Sequence, residues 1–194
     1  MRVDVASWLP LVTRDSVSTA TATVTLTEPG GTAREVSEHR LQADDLLHWS
    51  YTVRSDGEET RQSCDGQEMT HIAGGNPIRS KVPAAFDSTD DPWYFYSWLG
   101  VVDTWLVEMV RPVDLLARVV VSTVDTPVPD GTVRIQATPM GNEPSPYSGF
   151  SMPDGRSLTL LLDVDRGYFT EVAVSHPGEA GAAHRLNYRL IGQL

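Results

Sequence analysis

Apolar and polar positions alternate in short runs between Ala20 and Ile72, lose that period through the middle of the chain, and regain it from Val119 onward. Ala20, Ala22, Val24 and Leu26 interleave with Thr19, Thr21, Thr23, Thr25 and Thr27. A period of two carried largely by β-branched residues predicts a half-buried strand. Pro29-Gly30-Gly31 breaks it, and a weaker strand with one wet face follows through Val36–Leu41. Leu47, Trp49, Tyr51 and Val53 then alternate with His48, Ser50, Thr52 and Arg54, the clearest strand in the sequence. Asp56-Gly57 and Asp65-Gly66 are hairpin dipeptides, because Asp and Gly tolerate the positive φ of tight turns. They bracket a short strand at Glu59–Cys64 and lead into another at Gln67–Ile72, so the first half predicts an antiparallel meander.

The middle reads differently. Gly74–Pro92 has loop composition and little period. Trp93–Val110 predicts a helix, with Phe95, Trp98, Val102, Trp105 and Met109 at spacings of three and four, and Pro112 stops it, leaving room for one more turn at Val113–Ala117. Alternation then returns. Val119 and Val121 share one direction, and Val133, Ile135 and Ala137 follow the Pro129-Asp130-Gly131 turn. Leu158, Leu160, Leu162 and Val164 form a strongly apolar strand, after which Asp165-Arg166-Gly167 turns into Tyr168–His176 and His176-Pro177-Gly178 into a last strand at Ala183–Ile191. The proline-rich stretch Gly141–Gly155 reads as an exposed flap. The whole predicts a single mainly-β (α+β) domain over residues 1–194: a strongly curved antiparallel sheet of about ten strands, with a helical insertion at about 74–117 packed on its concave face. A helix with this many aromatic residues cannot stay in water.

Composition narrows the function classes. Among 194 residues, 26 acidic outnumber 15 basic, the net charge is −11, and Lys81 is the only lysine. Such a surface is repelled by phosphate backbones and anionic headgroups, which argues against nucleic acid as a partner. A single cysteine, Cys64, excludes an internal disulfide and a multi-cysteine zinc site. The start MRVDVASWLPLV lacks the uninterrupted apolar run of a secretory signal, since Asp4 and Pro10 divide it. The expectation is a cytoplasmic protein, or an exported one if a leader has been trimmed. Asp103 and Glu108 make Trp93–Val110 a buried helix rather than an integral membrane segment.

Motifs for chemistry are sparse. The five histidines, His39, His48, His71, His176 and His184, show no metal-ligand spacing, and a lone inward histidine such as His71 is more often hydrogen-bonded core than a catalyst. Asp44-Asp45, Asp90-Asp91 and Asp163/Asp165 fall at predicted turns, where carboxylates cap local N–H groups. No nucleophile elbow, P-loop or dinucleotide fingerprint occurs. No catalytic residue, metal ligand or cofactor is therefore assigned. The defensible feature is an aromatic cavity built from Trp49, Tyr51, Trp98, Val102, Trp105 and Met109, which would bind an apolar ligand without any catalytic group. The alternative is that these side chains fill the interior completely.

The order of motifs resembles the LolA-type lipoprotein carriers and their actinobacterial relatives. The elements that carry the resemblance are TATATVTLTEPGG, LLHWSYTV and SCDGQEMTHI in the first half, then PVDLLARVVV, DGTVRIQATPM, SLTLLLDVDRGYFTEVAV and RLNYRL. It spans most of the chain, and the order is more specific than any one motif. It implies an incomplete β-barrel under a helical lid, around a cavity that accepts acyl chains. Three departures stand out: the position of the carriers' lid-latching arginine falls on Ala43, the export signal is missing, and the opening helix shrinks to Val3–Val12. The expected function is a non-enzymatic binding or carrier protein for an apolar small molecule, an acyl chain, or a lipidated or peptide partner. An enzyme using His71 or Glu108 as a base, and an interaction module with a filled core, are the alternatives.

Overall fold

The threonine–alanine alternation folds as expected into β1 (Ala20–Thr27), whose alanines and valine turn inward while the threonines stay half-exposed. In this computed structural model the described residues are 19–45, 47–82, 105–116, 119–128, 131–139, 156–176 and 184–193. After β1 come β2 (Ala33–Ala43), β3 (His48–Ser55), β4 (Glu58–Asp65), β5 (Glu68–Ala73) and β6 (Asn76–Lys81). Two short helices follow, α1 (Trp105–Val110) and α2 (Pro112–Leu116). The second meander is β7 (Val119–Val128), β8 (Thr132–Pro139), β9 (Ser157–Asp163), β10 (Tyr168–His176) and β11 (His184–Gln193).

All eleven strands join one antiparallel sheet in the order β6-β5-β4-β3-β2-β1-β11-β10-β9-β8-β7. Each meander zips by local turns. Asp56 and Gly57 both take positive φ (51° and 82°) between Ser55 and Glu58, the two-residue loop whose twist matches the flanking strands. Asp65 Oδ1 accepts from the N–H groups of Gln67 and Glu68, and Asp163 Oδ1 from those of Asp165 and Arg166, so these carboxylates cap turns as expected. The two meanders meet at the β1–β11 seam, where Val24 faces Tyr188 and Leu26 faces Leu186.

Because side chains alternate across a strand, the register places one residue set on a common inner face. It runs from Trp49, Tyr51 and Cys64 through Leu41, Ala20, Ala22 and Val24 to Val172, Leu160 and Ile135, and it forms one buried cluster with Leu106, Met109 and Leu115 of the helices. Helix α1 packs on β10, β1, β11 and β2, while α2 reaches β7. A six-residue helix is only about 9 Å long, so the sheet curls around it. The edge strands β6 and β7 do not pair, and the sheet is not closed into a barrel.

Two expectations are revised. Gly74–Pro92 is not wholly loop, because Asn76–Lys81 forms β6 after a Gly74-Gly75 turn with φ of 60° and 86°. Its sequence NPIRSK hides the strand, since all six residues are exposed and none needs to be apolar. The described helix begins at Trp105, and Pro112 opens α2 rather than only ending α1. Trp93–Thr104 and the flap at Gly141–Gly155 lie outside the described residues. Among the described residues, no helix is long and apolar enough to cross a membrane.

Candidate functional site

Two neighbouring cross-strand rows make up the inner face near the β6 edge. One reads Leu41, Tyr51, Gln62, His71, Ile78 and the other Ala43, Trp49, Cys64, Met69, Ser80. Along the first row burial falls steadily outward: Tyr51 is 1% exposed, Gln62 4%, His71 partly buried and Ile78 68% exposed. A cavity of about 130 Å³ opens where the rows leave the core, lined by Trp49, Gln62, Met69, His71, Ile78 and Ser80 among others. Trp49, Met69 and Ile78 give it apolar surface, while Gln62, His71 and the hydroxyl residues Ser63, Thr70 and Ser80 give it polar groups.

Deeper in the face lies a polar group that the sequence reading did not single out. His39 is fully buried, with Nε2 2.8 Å from Ser37 Oγ and Nδ1 2.8 Å from Tyr51 Oη. The rings of Tyr51 and Tyr188 meet it edge-on at 5.9 and 6.1 Å. Burial lowers its pKa to about 4, so the ring is neutral at physiological pH. One position outward, Gln62 Nε2 lies 2.8 Å from His71 Nδ1. Glu108 in α1 and Arg111 just after it are also buried, placing two ionisable groups beneath the sheet.

Of the residues expected to bind a ligand, Trp49 lines the cavity, while Tyr51 lies one strand row deeper with its hydroxyl tied to His39. Met109 is fully buried in α1 within the same apolar cluster. Trp105 opens α1, but its side chain is outside the described set, as are Trp98 and Val102 altogether. His39, Gln62 and Tyr188 were missed. Their signal was the register itself: Tyr51 needs a partner for its hydroxyl, and His39 shares the inward parity of Leu41.

The remaining candidates have plain roles. His48 points outward and pairs with Asp45 at 2.8 Å. Burial raises the pKa of the Cys64 thiol, and Asp65 and Asp45 add to that rise, which is the opposite of an activated thiolate. Among the described residues, no group of three or more His, Cys, Asp or Glu side chains is placed to hold a metal ion. A larger groove of about 410 Å³ lies on the convex face among Arg40, Thr52, Arg54 and Arg61. There Glu59 pairs with Arg54 at 2.8 Å and Arg61 at 3.2 Å, which describes a solvated charged face.

Fold and face together define an unclosed antiparallel half-barrel whose apolar concave side opens at one edge strand. The sequence matches no protein-family model and no curated protein. Its structural neighbours are LolA-superfamily proteins. One is a LolA superfamily protein from Nitrosomonas europaea, with a TM-score of 0.36, 6% identity, and 94% of this chain and 90% of that one covered. Another is an outer membrane lipoprotein-sorting protein domain from Vibrio parahaemolyticus, at 0.36 and 8%, covering 91% and 84%. A third is LprF from Mycobacterium bovis, at 0.33 and 12%, covering 90% and 85%.

Proposed function

We propose that the protein is a non-enzymatic binding or carrier protein that holds an apolar ligand, with an acyl chain as the leading candidate, against the concave face of its half-barrel. The observation that carries this reading is the burial gradient along Leu41, Tyr51, Gln62, His71 and Ile78, by which the buried interior runs through two polar side chains to the exposed Ile78 at the edge. The motif order that resembles LolA-type carriers agrees with it. Each methylene buried there contributes roughly 0.8 kcal/mol, so affinity comes from the part of the chain that the cavity and the adjoining apolar surface cover. A cavity of about 130 Å³ is smaller than the roughly 300 Å³ at the lower end of small-molecule sites. It therefore takes one end of a chain, and the rest lies along the half-exposed surface towards Ile78.

A partner strand added at β6 is the less favoured use of this edge. Pro77, Arg79 and Lys81 stand on it, and proline and charge are the residues that discourage edge-to-edge pairing.

The test is native mass spectrometry of the purified protein, followed by organic extraction and a titration with a fluorescent fatty-acid analogue. A co-purifying apolar molecule, or saturable binding that Met69→Asp abolishes, is the expected result. A protein at its bare mass that binds no probe would end the carrier reading and leave a filled core.

A further inference from the structure

We infer that the cavity at the β6 edge selects amphiphiles whose chain ends in an oxygen acceptor, a carboxylate or an ester carbonyl, and that His71 supplies the hydrogen bond to it. This rests on the function proposed above and names the ligand chemistry for the same face. The amide nitrogen of Gln62 lies 2.8 Å from His71 Nδ1. An amide nitrogen donates and does not accept, so with Gln62 Nε2 towards the ring, His71 Nδ1 is the acceptor and His71 Nε2 carries the ring N–H. Gln62 stands directly across from His71 in the β4–β5 register and is itself buried.

His71 is half-buried and faces the cavity beside Trp49, Met69 and Ile78. Among the described residues Gln62 is the ring's one hydrogen-bond partner, so Nε2–H is the donor the ring offers to an occupant. An occupant without an acceptor would cover that N–H and forfeit its hydrogen bond to water, whereas a carbonyl or carboxylate oxygen replaces it. The apolar side chains and the imidazole N–H, beside the hydroxyl residues Ser63, Thr70 and Ser80 that also line the cavity, thus read two parts of one molecule, the chain and its oxidised end.

The experiment compares decanoic acid, methyl decanoate and decane by displacement of a fluorescent fatty-acid analogue from the intact protein and from His71→Phe and His71→Gln. Far-ultraviolet circular dichroism checks that each variant is folded. The wild type is expected to bind the acid, the ester or both about tenfold more tightly than decane. His71→Phe should erase that preference, and His71→Gln, which keeps an N–H donor, should restore part of it. Acid much tighter than ester identifies a free carboxylate as the end group, and equal binding identifies the carbonyl; either supports the inference. Equal binding of all three ligands, unaffected by His71→Phe, overturns it and leaves the carrier reading standing. Failure of every ligand and of the probe to bind removes both. Should His71→Phe not fold, ring ¹⁵N resonances of the wild type decide: an unprotonated Nδ1 and an Nε2–H signal that moves with methyl decanoate but not with decane are expected, and a proton on Nδ1 overturns the assignment.

Discussion

The inner faces of β8–β10 and of β2–β5 belong to the same sheet and obey the same period of two, yet they are furnished differently. On the first, Val133, Ile135, Leu158, Leu160, Leu162, Val172 and Val174 are buried and aliphatic, joined by the buried ring of Phe169. On the second, Leu41, Trp49, Cys64 and Met69 share the surface with His39, Tyr51, Gln62 and His71. Aliphatic burial is non-directional and stabilises whatever shape fills the space. A buried polar group instead costs free energy unless it finds a partner of the right geometry. The aliphatic half therefore holds the fold, and the mixed half spends some of that stability on a specified polar arrangement beside the opening.

Substitutions can break this contrast. Leu160→Ala lies opposite both Ile135 and Val172 and should cost about 3 kcal/mol in urea unfolding. Probe binding by the folded protein should be unchanged. A loss of binding larger than the loss of stability would show that the ligand reaches the aliphatic half.

Acid should act chiefly on the mixed half. The pKa of His39 is about 4 in the folded protein against 6.5 for the free side chain. Between those values the unfolded chain binds more protons, so stability rises with pH. The contribution is fully present above about pH 6.5 and is lost as pH falls towards 4, amounting to roughly 3 kcal/mol. His39→Gln should flatten denaturation midpoints across that window, and an unchanged slope would place the titration elsewhere. The carboxyls of Asp45 and Asp65 are held low mainly by the N–H groups of Leu47 and Glu68, so their stabilisation is lost only at still lower pH.

Tyr51→Phe removes the hydroxyl 2.8 Å from His39 Nδ1 and leaves that nitrogen to be satisfied another way. It should cost about 1–2 kcal/mol by chemical denaturation. A neutral result would mean that the ring packing at 5.9 Å carries the pair rather than the hydrogen bond. The smallest effect sharpens the comparison from outside either face. Asp45→Ala loses a cap on the Leu47 and His48 N–H groups in an exposed turn, and should cost at most about 1 kcal/mol in the same assay.

Most of the strands were legible because their cause is local. The threonine alternation of β1, the Trp49–Tyr51 parity of β3 and the leucines of β9 each declare which side chains share a face. Strand β6 was not legible, since an exposed edge places no demand for apolar residues. Nor was the buried His39. In β2 its outward neighbours Glu38 and Arg40 and its inward neighbour Ser37 are all polar, so Leu41 alone marks the inner face beside it. The inward parity of Trp49 and Tyr51 was in the sequence, but the cavity that Trp49 borders was not, because its other walls come from β4, β5 and β6.

By itself the sequence determined the period of each strand, the tight turns that Asp-Gly pairs close, and an acidic, cysteine-poor composition. Those depend on a residue and its near neighbours. Only the tertiary structure decided that β1 pairs with β11, which joins segments from opposite ends of the chain. It also brought Tyr51 and Tyr188 to His39 from strands on either side, and set Gln62 across from His71. Alternation fixes a face but not a partner, and the hydrogen bonds of both histidines depend on the partner.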